Sequence, residues 1–257
     1  MLAAGIGRRL HGEENDQLPK ALLRFGGKTL LSRHIEILYG LGIKQMIVVV
    51  GHRKETLLSE ALSTIASIGA PENFLQSIYN PRYQESSLLS LGVADETLRA
   101  GDDILFMDAD VLYHPELIRR IIQSAHKNCF SLDREFEQGD EPVKVCLRNN
   151  RIIDFGKKVT NDFDIIGEWP GFLKMSPEIA FNVADAVQSH ITKDIKFVDY
   201  EDAMRDVLFS MPTNTFGYED ITGIPWTEID FPDDVVHARD VILPSMKKFE
   251  LDDLDID

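Results

Sequence analysis

The sequence has few of the features that mark secreted, membrane or redox proteins. It contains two cysteines in 257 residues, Cys129 and Cys146, and neither lies in a C-x-x-C pattern. We interpret both as buried apolar side chains. There is no N-x-S/T acceptor, and no apolar run approaches the roughly 20 residues of a membrane span. Residues 1–5 lack the basic segment that opens a signal peptide. These absences predict a cytoplasmic protein with no membrane partner.

Positive charge is also scarce. The chain has 27 Lys and Arg residues against 43 Asp and Glu residues, for a formal net charge of −16. A surface this acidic repels phosphate backbones, so we predict no nucleic-acid partner. A nucleoside triphosphate is not excluded, because a local basic pocket and a metal ion can override the overall field.

The apolar pattern predicts an α/β fold. The clearest strands, 46–50, 74–79, 104–107 and 143–147, alternate with helical segments, and prolines mark the first turns of three helices. A continuous apolar strand such as 47–50 indicates a parallel sheet covered on both faces. After residue 127 strand-like segments follow one another closely. We predict a Rossmann-like, mostly parallel mixed sheet with helices on both faces. One domain spans residues 1–246, and an acidic tail spans 247–257.

In an open parallel sheet, ligands bind beyond the carboxyl ends of the strands. The first such loop is Gly-rich: segment 2–10 reads L-A-A-G-I-G-R-R-L. Small residues let backbone N–H groups approach phosphates, and Arg8 and Arg9 add charged donors. The dinucleotide fingerprint requires glycine where Leu10 stands, and a Walker A loop around Gly27-Lys28 requires glycine at Leu22. Both alternatives fail.

A second basic motif follows, P-K-A-L at residues 19–22, and a helix then opens with L-L at 30–31. The combination resembles the nucleotidyltransferases that activate sugars and alcohol phosphates, and within them the cytidylyltransferases acting on phosphocholine and related phosphonates. This resemblance implies the nucleotide-diphospho-sugar transferase fold. It also implies that Arg8 and Lys20 bind the triphosphate, while Ala3, Ala4 and Gly5 hold base and ribose. Family members have several apolar residues before L-A-A-G, so we expect a fuller product with a longer first strand.

Acidic residues end two further strands. Asp108 and Asp110 follow the apolar run 104–107, and alternate residues of a strand share a face. Two carboxylates at the carboxyl edge of a sheet repel unless a cation joins them, and Mg²⁺ prefers oxygen ligands. In W-T-E-I-D-F-P at 226–232, the resemblance assigns the terminal acid, Asp230, to the same site. We predict Mg²⁺ or another divalent cation held by Asp110 and Asp230, with Asp108 as either a third ligand or a residue that supports the ligands. The alternative is a solvated turn and a helix cap.

The remaining site residues follow from weaker signals. Segment 79–91 resembles the asparagine and S-L motifs of cytidylyltransferases, and Ser86 and Ser87 also suit a helix cap. Lys157 is the last residue of R-I-I-D-F-G-K and resembles a lysine that contacts the acceptor or the α-phosphate in relatives. The alternative is a solvated surface side chain. The nucleotide-binding residues that we predict in all are Leu2, Ala3, Ala4, Gly5, Gly7, Asn80, Ser86 and Ser87.

Glu168 and Trp169 form an acid–indole pair between Gly167 and Gly171. Such a pair suits an ammonium group, so we predict an amine-bearing acceptor there. The alternative is a tryptophan packed in the core beside an exposed glutamate. None of the seven histidines lies in H-E-x-x-H or beside a nucleophile motif, and we interpret them as structural or surface groups.

The function that these residues predict is transfer of CMP from CTP to a small phosphorylated or phosphonylated acceptor, with release of pyrophosphate. The catalytic residues would be Arg8, Lys20 and Lys157. Two alternatives stay open: a sugar-1-phosphate nucleotidyltransferase using UTP or dTTP, and a nucleotide-binding module without turnover. The sequence is compatible with a homodimer.

Overall fold

The computed structural model describes residues 1–11, 17–137, 139–193 and 198–254. Within these ranges the chain alternates strands with helices. The strands are β1 (Leu2–Ala3), β2 (Arg24–Phe25), β3 (Lys28–Thr29), β4 (Met46–Val50), β5 (Leu75–Tyr79), β6 (Ile104–Met107), β7 (Val111–Tyr113), β8 (Cys129–Leu132), β9 (Lys144–Arg148), β10 (Arg151–Gly156), β11 (Ile165–Glu168), β12 (Phe172–Met175), β13 (Gly217–Asp220) and β14 (Trp226–Glu228).

The α-helices are α1 (Arg8–His11), α2 (Leu30–Gly40), α3 (Lys54–Ile68), α4 (Ser87–Gly92), α5 (Asp95–Leu98), α6 (Pro115–Gln123), α7 (Pro177–Thr192), α8 (Tyr200–Ser210), α9 (Pro232–His237) and α10 (Leu243–Leu254). Pro115, Pro177 and Pro232 each open a helix, as predicted, because the first turn does not use the missing N–H. A π-helical segment, Ala238–Ile242, joins α9 to α10. The acidic segment thus continues a helix up to Leu254.

The contacts within the chain divide it into two compact units. That residues 1–246 form one domain remains a prediction. Unit 1 comprises Met1–Gln84, Asp108–Glu116 and Ile224–Asp257. Its parallel sheet has the order β1-β4-β5. The registers pair Ala3 with Val50 and Val50 with Tyr79, so all three strands end at one edge. The predicted parallel sheet is therefore present in unit 1, and its carboxyl edge carries the Gly-rich loop.

Unit 1 also contains the antiparallel strands β7 and β14, which pair although they are far apart in the sequence. Ile229, just after β14, is fully buried in an apolar cluster. The other buried members of this cluster are Phe25, Leu30, Leu112, Ala238, Ile242 and Met246. This core fixes the two chain segments that carry Asp110 and Asp230.

Unit 2 comprises Glu85–Met107 and Leu117–Gly223. One sheet has the order β13-β8-β12-β6, with β13 parallel to β8 and β12 antiparallel to both neighbours. The other sheet, β10-β9-β11, is antiparallel. The close succession of strands after residue 127 is therefore confirmed. Strands β11 and β12 are separated by a turn at Pro170-Gly171, where Gly171 has φ +87°.

Candidate active site

Seven of the predicted site residues line one pocket in unit 1. They are Leu2, Ala3, Gly5, Gly7, Arg8, Lys20 and Asp110, and the remaining lining residues are Arg9, Pro19, Ala21 and Ala109. The pocket holds about 230 Å³ and lies at the carboxyl end of β1. Ala4 is buried beside it. The structure thus brings the Gly-rich loop, the P-K-A-L lysine and one strand-end acid together.

The loop geometry explains the small residues of the motif. Gly7 has φ +74°, a conformation that residues with a Cβ atom rarely adopt. At the neighbouring strand end, a Cβ atom on Gly51 would lie 2.7 Å from the Ala4 carbonyl oxygen. The backbone N–H of His52 donates to that same oxygen at 3.1 Å. The loop therefore packs backbone against backbone.

Lys20 forms the centre of charge in the pocket. Its Nζ lies 2.9 Å from Asp110 Oδ2 and 2.5 Å from Asp230 Oδ1, and 13% of its side chain is exposed. Burial lowers the pKa of Lys20, but the two carboxylates outweigh burial and raise the pKa above its ordinary value. Lys20 is therefore a fixed ammonium group. Asp230 also pairs with Arg9, Nη2 to Oδ2 at 2.8 Å.

Three carboxylates surround this lysine in a group that fits a divalent cation. Asp110, Glu228 and Asp230 each place one oxygen within 4.8 Å of the other two. Burial of the carboxyl group, and then repulsion from Asp110 and Asp230, raises the pKa of Glu228 well above its ordinary value, although the residue as a whole is exposed. Oxygen donors in this number suit Mg²⁺, which commonly takes carboxylates together with substrate phosphates.

Two differences from the predicted acids stand out. Among the described residues, Glu228 takes the third place in the carboxylate group, and Asp108 is not a member. Asp108 instead bridges to Leu2 in the β-ladder and acts on the Met1 amino group by charge. The spacing of Glu228 two residues before Asp230 is visible in the sequence, but β14 ends at Glu228, and only its pairing with β7 brings both acids beside Asp110. Arg9, which the sequence indicates only as a charged donor of the Gly-rich loop, pairs with Asp230.

Backbone hydrogen bonds around β7 and β14 position Asp110, Glu228 and Asp230. In β7 and β14, Val111 pairs with Glu228, and the N–H of Ile229 donates to the Asp110 carbonyl at 3.0 Å. Asp234 accepts the backbone N–H groups of Asp230 and Phe231 at 2.8 and 2.7 Å. Asp234, in the first turn of α9, therefore caps that helix, while the Asp230 carboxylate pairs with Lys20 and Arg9.

The predicted base-binding residues have structural partners. Asn80 is buried at the end of β5, and its Oδ1 accepts the Arg82 N–H at 2.9 Å. Ser86 occupies the N-cap position of α4 but makes no side-chain capping bond, so that part of the capping prediction is wrong. In unit 2, Ser87 Oγ donates to Asp199 Oδ1 at 2.8 Å and accepts the Tyr200 N–H at 3.2 Å.

Unit 2 holds the predicted acceptor residues. Lys157 Nζ lies 3.9 Å from Glu141 Oε2, while the Lys157 carbonyl accepts from Lys144 Nζ at 2.9 Å. Burial and then the Asp133 carboxylate raise the pKa of Glu168 to about 7. Glu201, which we did not assign, has its pKa raised to about 7 by burial and then by Asp199. Its Oε2 is buried and has no hydrogen-bond partner within the described ranges.

The predicted role of Trp169 is wrong. The residue is 3% exposed, and its indole N–H donates to the Phe172 carbonyl at 2.7 Å. The rings of Phe106, Phe130, Phe155 and Tyr200 lie 5.1 to 6.3 Å from the indole. Trp169 is thus a core side chain whose hydrogen bond is satisfied, and an ammonium group has no open indole face to contact.

Comparison with protein families identifies the family to which the chain belongs. The family model described as "MobA-like NTP transferase domain" matches residues 1–154, which include the Gly-rich loop, Lys20 and Asp110. The chain belongs to this family. Membership confirms the nucleotidyltransferase class that the amino-terminal motifs predict. Glu228 and Asp230 lie beyond the matched residues.

Curated relatives extend the similarity over the chain. A "Bifunctional IPC transferase and DIPP synthase" of Thermococcus kodakarensis is 27% identical over 251 residues, which are 96% of this chain and 51% of that protein. The chain therefore spans about half the length of this relative. A "CTP:phosphoglutamine cytidylyltransferase" of Campylobacter jejuni is 23% identical over 255 residues, covering 91% of this chain and 96% of the relative.

A solved structure confirms the fold. The inositol-1-phosphate CTP transferase from T. maritima superposes with a TM-score of 0.72 at 17% identity, covering 97% of this chain and 94% of that one. The predicted nucleotide-diphospho-sugar transferase fold is therefore confirmed. Across the described ranges, none of the helices combines the length and apolar character that crossing a lipid bilayer requires.

Proposed function

We propose that this chain transfers a nucleotidyl group from a nucleoside triphosphate, with CTP preferred, to a small phosphorylated or phosphonylated acceptor. The observation that carries the proposal is the position of Lys20. Its ammonium group lines the pocket under the Gly-rich loop and joins Asp110 to Asp230. A triphosphate in the pocket would therefore meet a fixed positive charge beside carboxylates that fit a divalent cation.

The reaction needs no protein nucleophile. An oxygen of the acceptor phosphate or phosphonate attacks the α-phosphorus, the bond to the bridging β-phosphate oxygen breaks, and pyrophosphate leaves with the bond's electron pair. Lys20 and Arg8 stabilise the charge that grows on the departing phosphates. We assign to Lys157 the contact with the acceptor or α-phosphate that the family resemblance implies.

Asp110, Glu228 and Asp230 would hold the divalent cation, Mg²⁺ in our proposal. A cation bound there would polarise phosphate oxygens and add positive charge to the site. Lys20 would then contact phosphate while Arg9 keeps Asp230 oriented through its own oxygen, Oδ2. Asp108 keeps a supporting place in the β-ladder and is not one of the proposed ligands.

CTP is favoured by the relatives. The relative from C. jejuni and the structure from T. maritima both carry CTP in their names. On this chain, Asn80 and the Ser86–Ser87 pair are the candidate base-reading groups, together with backbone groups of the Gly-rich loop. UTP or dTTP with a sugar-1-phosphate is the alternative pairing.

The acceptor that we propose bears an amine. Its support comes from acids in unit 2, since the buried Oε2 of Glu201 lacks a hydrogen-bond partner within the described ranges, and Asp199 and Asp202 act on it by charge. A buried carboxylate oxygen without a hydrogen-bond partner is costly, and an ammonium group would add to the charge of Lys157 and offset that cost. Glu168 is a second candidate contact. The Trp169 indole takes no part in this revised site.

The first experiment fixes the reaction. Purified protein is incubated with each of CTP, UTP, dTTP, ATP and GTP, with Mg²⁺ and an acceptor mixture, and pyrophosphate release is measured. We expect release with CTP, dependent on Mg²⁺ and absent in Asp110→Asn. Binding of a nucleotide without pyrophosphate release from any pair would instead support a module without turnover.

The second experiment fixes the acceptor under one nucleotide. Phosphocholine, 2-aminoethylphosphonate, inositol-1-phosphate and glucose-1-phosphate are compared by kcat/KM, with wild type and Glu201→Gln side by side. The amine proposal expects a preference for a cationic acceptor that Glu201→Gln reduces. A clear preference for inositol-1-phosphate or glucose-1-phosphate, unchanged by Glu201→Gln, contradicts it.

A further inference from the structure

His34 is a buried histidine whose two ring nitrogens both contact the segment that carries Asp110. It lies on α2 and is 1% exposed. Nε2 lies 3.1 Å from the Ala109 carbonyl oxygen, and Nδ1 lies 3.1 Å from the Tyr113 hydroxyl. The His34 and Tyr113 rings stack with centroids 5.3 Å apart. His34 therefore contacts Ala109, the residue before Asp110, and Tyr113, the last residue of β7.

The partners and the burial of the imidazole together determine its protonation state. A carbonyl oxygen only accepts, so Nε2 must carry the proton that is donated to Ala109. The Tyr113 hydroxyl can donate or accept, and because burial disfavours the charged ring, the hydroxyl donates to Nδ1 of a neutral imidazole. Burial lowers the pKa of His34 to about 4, which agrees with this assignment. One tautomer thus satisfies both contacts throughout the neutral pH range.

The contact falls on the peptide group next to the carboxylate. The Ala109 carbonyl belongs to the peptide unit that precedes Asp110, and the Asp110 carbonyl belongs to the unit that follows. His34 holds the first unit, and the Ile229 N–H holds the second at 3.0 Å. Both peptide planes that set the direction of the Asp110 side chain are therefore fixed.

We infer that His34 and Tyr113 are positioning residues that aim the Asp110 carboxylate at Lys20 and at a divalent cation. The inference rests on the proposed function, because it concerns the same carboxylate group. His34 touches neither Lys20 nor the three acids in any contact described above. Its effect would pass through the Ala109 peptide, much as outer hydrogen bonds orient the ligands of other metal sites.

The test measures cation binding without nucleotide. Mn²⁺ is titrated into the full chain by calorimetry for wild type, His34→Leu, His34→Gln and Leu38→Ala. We expect His34→Leu to weaken Mn²⁺ binding about tenfold or more. His34→Gln should recover most of this loss, because its amide nitrogen can donate to the Ala109 carbonyl. Leu38→Ala, which damages the same helix four residues on, should bind Mn²⁺ like wild type.

Activity provides a second measurement. In His34→Leu the Mg²⁺ concentration for half-maximal rate should rise by a similar factor, while the KM for the nucleotide at saturating Mg²⁺ should stay near that of wild type. Where His34→Leu fails to fold, Tyr113→Phe carries the test. It removes one hydroxyl, so Mn²⁺ affinity should fall between about twofold and tenfold.

The outcomes separate the inference from the proposed function. Wild type that binds no Mn²⁺ or Mg²⁺ would overturn the cation site and this inference together. Wild-type binding with equal affinity in His34→Leu, or in Tyr113→Phe where that variant is used, overturns the inference alone. The inference also fails if Leu38→Ala weakens binding as much as His34→Leu, because general loosening of α2 would then explain both.

Discussion

Lys20 and Asp230 are 210 positions apart in the sequence, and Nζ of the lysine lies 2.5 Å from Oδ1 of the aspartate. The side chains of both are 13% exposed, so this ion pair is screened little by water. A partly buried pair is costly to break from one side, since the remaining charge loses its partner. Substitutions at the two positions should therefore reveal both the chemistry and the electrostatics of the pocket.

Replacing Asp110 or Asp230 by asparagine should lower kcat roughly 100-fold or more while the fold survives. Asparagine keeps the shape of the side chain but removes a charge that the cation needs. Rates with saturating Mg²⁺ and circular dichroism spectra check both parts. Asp233→Asn, an exposed acid in the first turn of α9, is the matched control. Near-normal rates in both site variants would remove the metal assignment.

Lys20→Ala should weaken use of the triphosphate and slow the chemical step, because in the proposed reaction Lys20 would contact the charge that grows as pyrophosphate departs. Lys28→Ala is the control, since the Lys28 side chain is 53% exposed and pairs with Glu36 outside the pocket. Steady-state kinetics with varied CTP measure kcat and KM for both variants. If Lys28→Ala abolishes activity and Lys20→Ala does not, the wrong loop has been assigned.

Trp169→Ala should destabilise the protein by about 3–5 kcal/mol, because it removes a large side chain from the core of unit 2. Phe209→Ala, whose ring is 51% exposed on α8, should cost less than about 1 kcal/mol. Urea unfolding measures both. A stable Trp169→Ala variant with a selective loss of amine acceptors would restore the indole to the acceptor site.

Glu201 should make stability fall as pH rises through the range from about 4.5 to about 7. Folding raises its pKa from 4.5 to about 7, so the folded state holds more protons than the unfolded state within this window. Glu201→Gln removes this titration. Its free energy of unfolding relative to that of wild type should therefore rise between pH 5 and pH 8, by on the order of 1–3 kcal/mol. Urea unfolding at both pH values tests this, with exposed Glu178→Gln as control. An equal pH response in wild type and Glu201→Gln contradicts the prediction.

Local patterns predicted much of the fold. Segment 46–50 is a continuous apolar run and forms β4 at those bounds, because a strand buried on both faces needs no alternation. Helix α8 was missed, although Tyr200, Ala203, Met204, Val207 and Leu208 form its buried stripe. Its start, 199–202, contains three acids, a composition that is also typical of a solvated surface segment. The Asp202 carboxylate in fact accepts the backbone N–H of Asp199 at 3.2 Å and so helps to cap the helix.

The site residues that belong to short sequence motifs could be predicted. Those whose positions depend on packing between distant parts of the chain could not. The Gly-rich loop and Asp110 meet because Leu2 of β1 bridges to Asp108, and Lys20 joins them from the short helical turn Lys20–Leu22 through its ion pair with Asp110. The choice of Glu228 over Asp108 depends on the pairing of β7 with β14, which local sequence does not reveal. The burial of Trp169 likewise depends on rings contributed by other strands, Phe106 and Phe155 among them.

The pairing of β7 with β14 also bears on how the chain becomes active during synthesis. A ribosome releases the amino-terminal part first, so the Gly-rich loop, Lys20 and Asp110 emerge long before Glu228 and Asp230. Until β14 emerges and pairs with β7, the nascent protein has only one of the three carboxylates. We therefore expect catalytic competence to appear abruptly, once the residues through β14 and Asp230 have left the exit tunnel, rather than to grow with chain length.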